Sequence, residues 1–296
     1  MRRRRGGTHG PKRASGAPLA GVQSGNRAWW EQNPMTYDWS GCSGDARGEA
    51  SWLDDQDRRS DAQHMHFLAG RPAFEYVLGD APLRGLDVLE IGVGSGYHAE
   101  QLCRAGARVQ GIDISEAAVE ISQRRFNTKG LTGAFERWDA EEDRPDFHGR
   151  FDLIWSWGVI HHSAHTARIV RNVQRWLRPE GTFAGMVYHR DSSRLGVALV
   201  RDWLLAGNWR RHTVDEALWR SSDGFSARFY PADQWRDLLL AFFEQADTQV
   251  QGLDVDAVPL PRSLRPIVWQ HLGESTRNRL LERVGHFLMF RAAHPR

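Results

Sequence analysis

From residue 86 onward, the chain alternates between short apolar runs and segments whose apolar positions follow a helical period. The apolar runs cover residues 86–91, 107–112, 134–138, 151–155 and 182–188. The segments with helical spacing cover residues 97–105, 115–126 and 169–177. Strands that alternate with helices at this spacing predict right-handed crossovers and a doubly wound parallel sheet.

Four further segments flank this core of residues 86–189. Residues 1–25 are rich in Gly, Arg, Ser, Ala and Pro without periodicity, which predicts a disordered basic tail. Residues 26–85 are aromatic and helical in pattern, and we expect an N-terminal helical segment that covers the core. Residues 190–231 break the rhythm, and we interpret them as a helical cap insertion and candidate lid. Residues 232–296 complete the sheet.

The C-terminal segment is predicted to hold one helix and two strands. The helix covers residues 232–244, and the strands cover residues 248–253 and 286–290. In the cap insertion, the tryptophans can either line an acceptor pocket or pack the insertion onto the sheet, and packing is favoured. They are Trp203, Trp209 and Trp219.

Composition and charge exclude several classes of protein. The 296 residues are 41% hydrophobic and 26% charged, and the chain has no apolar run long enough to span a membrane. Six basic residues and no acid among the first 13 more than account for the net charge of +2, so the remaining chain is acidic. An acidic body gives no support for nucleic-acid binding, and we expect neither a nucleic-acid nor a membrane partner.

The two cysteines argue against a disulfide scaffold and a zinc cluster. Cys42 and Cys103 are far apart and form no CxxC motif, which fits a reducing cytoplasm. His64 and His66 have a two-residue spacing, but a metal site there would need further ligands from elsewhere, so solvated helix histidines are favoured. We therefore expect no metal.

A glycine-rich loop follows the first predicted strand directly. Gly92, Gly94 and Gly96 precede a helix, which is where a doubly wound fold binds a nucleotide-like ligand. Asp113 ends the second strand, where a carboxylate can accept both hydroxyls of a ribose. A dinucleotide site needs GxGxxG, but Tyr97 stands at the third glycine's place. The loop alone therefore leaves open a dinucleotide and another nucleotide-like ligand. Its glycine spacing disfavours a nicotinamide dehydrogenase.

Five motifs in order resemble those of class I S-adenosylmethionine-dependent methyltransferases. They are residues 88–96, 111–115, 139–140, 151–162 and 177–183. In the last motif Glu180 replaces a common glycine, while Gly181 remains. Residues 29–39 resemble the start of a bacterial small-molecule branch of this family. The resemblance implies a Rossmann-like, seven-stranded, mostly parallel sheet with a reversed seventh strand, and S-adenosylmethionine as cofactor with S-adenosylhomocysteine as product.

The resemblance also implies which residues surround the methionine part of the cofactor. Gly92, Gly94 and Gly96 are expected to border it. Glu90 is expected to assist near its amino group, and Tyr37 can close the N-terminal side.

A second group of positions is implied for the nucleoside. Asp113 is expected to hold the ribose, with Ile114 against the adenine. Asp139 is expected to face the adenine amino group with Ala140 beside it, and Trp157 to lie along the cofactor.

The general base has four candidates. His161 and His162 follow the fourth strand, where the substrate pocket begins, and a histidine can take a proton near neutral pH. Tyr188 and His189 end the fifth strand and are expected to point toward the same pocket. The alternative is that these side chains only pack or hydrogen-bond near the cofactor. His162 is favoured over the other three.

We therefore expect a cytoplasmic methyltransferase that moves a methyl group by in-line displacement to an oxygen or nitrogen of a small metabolite or natural product. A histidine base favours a hydroxyl acceptor, whereas positioning alone serves an amine equally well. The cap and the N-terminal segment would make a closed site that excludes large polymers. The alternatives are an RNA or protein methyltransferase anchored by the Arg-rich head, and a cofactor-binding protein without catalysis.

Overall fold

The computed structural model describes residues 21–33, 50–68, 70–220, 222–253, 257–260 and 264–296, with the backbone alone for residues 63–67. Its strands are β1 (Asp87–Ile91), β2 (Arg108–Asp113), β3 (Gly133–Arg137), β4 (Phe151–Trp157), β5 (Leu177–Tyr188), β6 (Phe243–Gln251) and β7 (Phe287–Pro295). The α-helices are α1 (Val22–Gln32), α2 (Ala50–Phe67), α3 (Ala73–Leu78), α4 (Tyr97–Arg104), α5 (Glu116–Thr128), α6 (Thr166–Trp176), α7 (Ser193–Ala198), α8 (Val214–Arg220), α9 (Ala232–Leu240), α10 (Arg265–His271) and α11 (Glu274–Val284).

All seven strands form one sheet in the order β3-β2-β1-β4-β5-β7-β6. The pairs from β3 through β5 are parallel, and β7 runs antiparallel to both β5 and β6. This arrangement confirms the predicted doubly wound, mostly parallel sheet with a reversed seventh strand. The strand order changes direction between β1 and β4, which is where open α/β sheets bind their ligands.

Strand β4 explains why the central strands are apolar along their whole length. Ile154 packs into a core with α6 and α9, while Leu153 and Trp155 pack into the core on the opposite face of the sheet. Because successive side chains of a strand point to opposite faces, a strand covered on both sides needs apolar residues at nearly every position.

The structure differs from the predicted C-terminal segment in two ways. The helix predicted over residues 232–244 ends at Leu240, because the apolar residues after it pair as β6 with β7. Helices α10 and α11 between β6 and β7 were not predicted. Only Leu281 is buried on α11, so its sequence carries almost no apolar stripe from which a helix could be recognised.

The N-terminal helix α1 begins at Val22, inside the segment predicted to be a disordered tail. It is fixed against the core by its polar side chains. The carboxylate of Glu31 accepts hydrogen bonds from the backbone N–H groups of Glu116 (2.9 Å) and Ala117 (3.2 Å). This contact places a negative charge at the N-terminus of α5, where the helix dipole favours it.

The insertion predicted at residues 190–231 holds α7, a π-helix at Leu199–Leu205, a short 3₁₀ turn and α8. Of its tryptophans, Trp219 is buried in the core, Trp203 donates its indole N–H to the His212 carbonyl, and Trp209 is half exposed. In the part of the chain that the structure describes, no helix is both long and apolar enough to cross a bilayer.

A buried arginine joins three helices beneath the glycine loop. The side chain of Arg125 on α5 is fully buried. Its guanidinium donates to Asp57 of α2 (2.7 Å), to Glu100 of α4 (2.6 Å) and to the carbonyl oxygen of Ser95 in the loop (2.6 Å). Lys129 adds contacts to Asp57 (2.7 Å) and Glu100 (2.9 Å).

These contacts keep Glu100 ionised. Burial alone would raise the pKa of Glu100, but its hydrogen bonds with Lys129, Arg104 and Arg125 lower that pKa below its usual value. Arg125 therefore ties α2, α4, α5 and the glycine loop into one unit through charge-assisted hydrogen bonds.

Replacing Arg125 by Met should lower the free energy of unfolding by about 3–5 kcal/mol, because Asp57, Glu100 and the Ser95 carbonyl each lose a charge-assisted donor inside the fold. Urea denaturation of the two proteins measures this difference. The matched control is Arg124→Met, an exposed neighbour on the same helix, which should change the free energy by less than about 0.5 kcal/mol. A loss no larger in the Arg125 variant than in the control would show that the network does not stabilise the fold.

Candidate functional site

One deep cleft opens at the carboxyl ends of β1, β2 and β4. Its volume is about 1460 Å³, counted out to its open mouth. The predicted residues that line it are Glu90, Gly92, Gly94, Asp113, Ile114, Asp139, Ala140, Trp157 and His162.

The glycine loop forms the floor of the cleft. Gly92 has φ +82°, and a Cβ added there would lie 2.3 Å from a methyl carbon of Val159. Gly94 (φ +53°) and Gly96 (φ +75°) also adopt left-handed conformations, and Gly96 is the N-cap of α4. Gly96 does not itself line the cleft. Its positive φ turns the chain into the helix, because only glycine adopts this conformation at little cost.

Asp113 lies at the end of β2 with its carboxylate turned to the glycine loop. Its oxygens accept hydrogen bonds from the backbone N–H groups of Ser115 (2.9 Å) and Gly94 (3.2 Å). Burial raises the pKa of Asp113 to about 6, although its backbone hydrogen bonds work in the opposite direction. The carboxylate is therefore held in place but is costly to ionise until a further donor reaches it.

Glu90 at the end of β1 is almost completely buried. Among the described residues, its Oε2 atom has no hydrogen-bond partner. Burial, and next the charge of Asp113, raise the pKa of Glu90 well above its usual value. A buried carboxyl oxygen without a donor fits a ligand ammonium group, which the resemblance places beside Glu90.

Asp139 follows β3 and is bound by α1. The side-chain amide of Gln23 donates to both of its oxygens (2.9 and 3.0 Å), and the Glu141 backbone N–H donates to one of them (3.0 Å). A carboxylate can accept about four hydrogen bonds, so capacity for one more donor remains. The apolar side chains of Ala140 and Ile114 also line the cleft.

Trp157 also lines the cleft. Its ring is stacked on Trp155 with centroids 5.4 Å apart and planes 10° apart, and the His98 ring lies 5.6 Å away. Met186 and Trp30 also line the cleft. These side chains give the cleft an aromatic and apolar surface.

His162 lies where three parts of the chain meet. Its backbone carbonyl accepts a hydrogen bond from Asn26 of α1 (2.6 Å), and its ring contacts Trp30 edge-on with centroids 5.1 Å apart. Its Nδ1 lies 2.7 Å from the carbonyl oxygen of Ser226 in the cap insertion. Because a carbonyl can only accept, Nδ1 carries the hydrogen and Nε2 is the basic nitrogen of the neutral ring.

The side chains of the other three candidate bases do not line the cleft. The ring of His161 is fully buried against Tyr188, with centroids 3.9 Å apart, and burial and the nearby His162 and His286 lower its pKa well below the usual value. Tyr188 donates its hydroxyl to Asp223 (2.9 Å). Neither ring lines the cleft.

The expectation that His189 points into the pocket is wrong. Its side chain is buried, and its Nδ1 lies 2.8 Å from the carbonyl oxygen of Gly285, just before β7. Strand β5 ends at Tyr188, and the backbone N–H of His189 already donates to the His286 carbonyl (2.9 Å). This pairing with the reversed strand turns the ring away from the cleft.

The sequence did not identify several residues of the cleft. Gln23 lies in the part of α1 assigned to the tail, Asn26 is the first residue of the predicted helical segment, and Asp223 lies in the cap insertion. No local motif marks them, since they reach the cleft only through tertiary packing. Tyr37 and residues 34–39 lie outside the described residues, as do the side chains of His64 and His66. Elsewhere in the described chain, no three His, Cys, Asp or Glu residues are grouped to hold a metal ion.

Comparison with known proteins agrees with the motifs. A protein-family model described as "Methyltransferase domain" matches residues 88–181. The chain is 30% identical over 151 residues to a ubiquinone biosynthesis O-methyltransferase of Methylobacterium, covering 49% of this chain and 60% of that protein. A protein with the same description from Thiobacillus denitrificans is 30% identical over 120 residues, covering 40% and 52%. The chain thus spans little more than half the length of the curated relatives it matches.

Solved structures share the fold at low identity. One chain from the complex of the Haloferax volcanii Trm112 methyltransferase activator has a TM-score of 0.53 at 20% identity, covering 85% of this chain and 98% of that one. A Haemonchus contortus phosphoethanolamine N-methyltransferase has a TM-score of 0.53 at 14% identity, covering 87% and 61%. The match over residues 88–181 confirms the resemblance to methyltransferase domains, and S-adenosylmethionine is the cofactor of that family.

Binding of S-adenosylhomocysteine should weaken as the pH falls below about 6, because Asp113 must be ionised to accept hydroxyl hydrogen bonds. Hydrogen bonds from the ligand hydroxyls would lower the pKa of Asp113 in the complex. Below about pH 6, binding therefore first requires Asp113 to lose a proton. Calorimetry should give a steady dissociation constant above about pH 7 and up to about a tenfold rise per unit below about pH 6.

The variant Asp113→Asn is the matched control for this pH dependence. It should bind more weakly by roughly 1–3 kcal/mol at neutral pH, since a buried donor–acceptor pair is lost, and it should lack the step near pH 6. Glu90 is unchanged in this variant, so its titration cannot account for the difference. A step of equal size in both proteins would contradict the assignment to Asp113.

Proposed function

We propose that this chain, which carries a methyltransferase domain over residues 88–181, transfers a methyl group from S-adenosylmethionine to a hydroxyl oxygen of a small aromatic acceptor. The observation that carries the proposal is that one cleft holds both the glycine loop and His162. A nucleotide-type site and a candidate base in one cavity suit a transfer between two bound ligands.

The cofactor end supplies three carboxyl groups at different depths. In this proposal, Glu90 receives the ammonium group of the methionine part, because its buried oxygen has no other donor among the described residues. Asp113 accepts the ribose hydroxyls, and Asp139 uses its remaining capacity for the adenine amino group. Ile114, Ala140 and Trp157 exclude water from the same space. The bound cofactor supplies a methyl group already activated by a sulfonium.

At the acceptor end, we assign the role of general base to His162. Its Nδ1 is held by the Ser226 carbonyl (2.7 Å), so Nε2 is the nitrogen that can take a proton. The acceptor hydroxyl gives its proton to Nε2, and its oxygen forms the new bond to the methyl carbon. The carbon–sulfur bond breaks, and both of its electrons go to sulfur. Positioning of the two ligands supplies much of the barrier lowering, about 7–11 kcal/mol.

The acceptor class follows from the walls of the cleft. Trp30 and Met186 provide apolar contacts, and the flat indole of Trp30 suits an aromatic ring. Helix α1 and the cap insertion both contact His162, so the cavity is covered from two sides and favours a small molecule over a polymer. The relatives described as O-methyltransferases favour oxygen over nitrogen as the accepting atom.

Replacing His162 by Gln should lower kcat for a phenolic acceptor by about 10²- to 10⁴-fold, the usual effect of losing a general base. The measurement is transfer of labelled methyl from S-adenosylmethionine to panels of phenols, aliphatic alcohols and amines. The affinity for S-adenosylhomocysteine should stay within about twofold of the original, because the loss concerns the acceptor end. The matched control is His148→Gln, an exposed histidine bound to Asp143, which should retain full activity.

Three outcomes would overturn the proposal in different ways. Transfer to amines but to no hydroxyl would replace the oxygen acceptor with nitrogen. Transfer only to RNA or protein, lost on removal of residues 1–20, would support the polymer-modifying alternative. Binding of S-adenosylhomocysteine without transfer to any acceptor class would indicate a cofactor-binding protein without catalysis.

A further inference from the structure

We propose that Asp223, in the cap insertion, is a positioning residue that holds a fixed negative charge beside His162 and makes that imidazole a stronger base. The inference rests on the role proposed above for His162. It assigns to the cap insertion a part in the chemistry, in addition to covering the cleft.

The cap segment of residues 222–226 wraps closely around the His162 ring. Ser226 accepts the Nδ1 hydrogen through its backbone carbonyl (2.7 Å). Gly224 has φ +75°, and a Cβ added there would lie 2.7 Å from Nδ1. This position therefore requires glycine both for its backbone conformation and for the close approach. The turn at Gly224 brings the preceding residue, Asp223, to the wall of the cleft that His162 also lines.

The Asp223 carboxylate is held in one orientation. Its Oδ1 accepts hydrogen bonds from the hydroxyl of Tyr188 (2.9 Å) and the hydroxyl of Ser222 (3.0 Å). Burial alone would raise the pKa of Asp223, but the charge of His162 and the bonds from Tyr188 and Ser222 lower it. Asp223 is therefore ionised near neutral pH, and its interaction with the charged form of His162 is favourable.

Among the described residues whose contacts with His162 are given below, the other groups are neutral. His161 packs against it with ring centroids 4.2 Å apart, and burial keeps His161 uncharged. The phenol of Tyr188 lies 5.9 Å away between centroids, and α1 contributes Asn26 and Trp30. Behind Tyr188, burial lowers the pKa of His286 to about 3, so its ring is also uncharged. Of all these groups, Asp223 alone carries a charge.

A neutral, apolar surrounding would by itself weaken His162 as a base, since burial disfavours an imidazolium. A nearby carboxylate reverses this effect, because the proton that His162 accepts creates a cation next to an anion. The same logic applies wherever a buried acid stabilises a catalytic histidine after proton transfer. Asp223 acts through His162 and not on the acceptor itself.

The test is an NMR titration of the His162 imidazole in the full chain, assigned by comparison with the His162→Gln protein. In Asp223→Asn, the midpoint of the His162 titration should move to lower pH by about one unit or more, because the neighbouring negative charge is gone. The matched control is Asp191→Asn, which removes an exposed carboxylate from the same insertion and should leave the midpoint unchanged.

A second variant covers the case in which Asp223→Asn does not fold. Asp223→Ser also removes the charge but keeps a hydroxyl that can accept the bond from Tyr188, and it should give the same downward shift. Asp223→Glu keeps the charge and should restore the midpoint to within about half a unit of the original. In the pH profile of kcat, the acid limb should move with the NMR midpoint in each variant.

The titration needs no acceptor, so the two proposals fail separately. An unchanged His162 midpoint in a folded, charge-removed variant would overturn the role of Asp223, even in an active enzyme. A shifted midpoint in a protein that transfers no methyl group would uphold the pairing of Asp223 with His162 and overturn the proposed function instead.

Discussion

The cofactor end of the molecule depends on the buried guanidinium of Arg125. A glycine loop with three left-handed residues has little intrinsic stability, because glycine loses more backbone entropy on folding than any other residue. Arg125 fixes the loop through the Ser95 carbonyl and joins it to Asp57 of α2 and Glu100 of α4. The loop is therefore held from beneath by charge-assisted bonds, while the ends of β1 and β2 present Glu90 and Asp113 to the cleft.

The acceptor end is organised around His162 in a comparable way. Asn26 of α1 holds its backbone, and Ser226 of the cap insertion holds its ring. Two segments that are distant in the sequence thus meet on a residue of the loop after β4. Movement of either segment would disturb the same side chain, so closing of the cleft and orientation of the proposed base are linked by direct contacts.

The core could be predicted from the sequence because its strands are buried on both faces, which requires apolar runs such as that of β4, and because the glycines need a special backbone conformation. The end of the helix predicted over residues 232–244 was misplaced because the apolar residues after Leu240 suit a helix as well as a strand, and only pairing with β7 decides between them. Gln23, Asn26 and Asp223 could not be predicted. Their roles arise from contacts across more than 60 positions of the chain, as between Asn26 and His162, and polar residues of this kind are equally typical of exposed loops.

The measurement that tests the account most directly is calorimetric titration of the purified protein with S-adenosylhomocysteine, with NAD as the control ligand. The arrangement of Glu90, Asp113 and Asp139 around a GxGxG loop predicts micromolar binding of S-adenosylhomocysteine and no binding of NAD. A folded protein, free of carried-over ligand, that does not bind S-adenosylhomocysteine would contradict the assignment of the cleft. Binding of NAD instead would show that the loop accommodates a dinucleotide despite Tyr97.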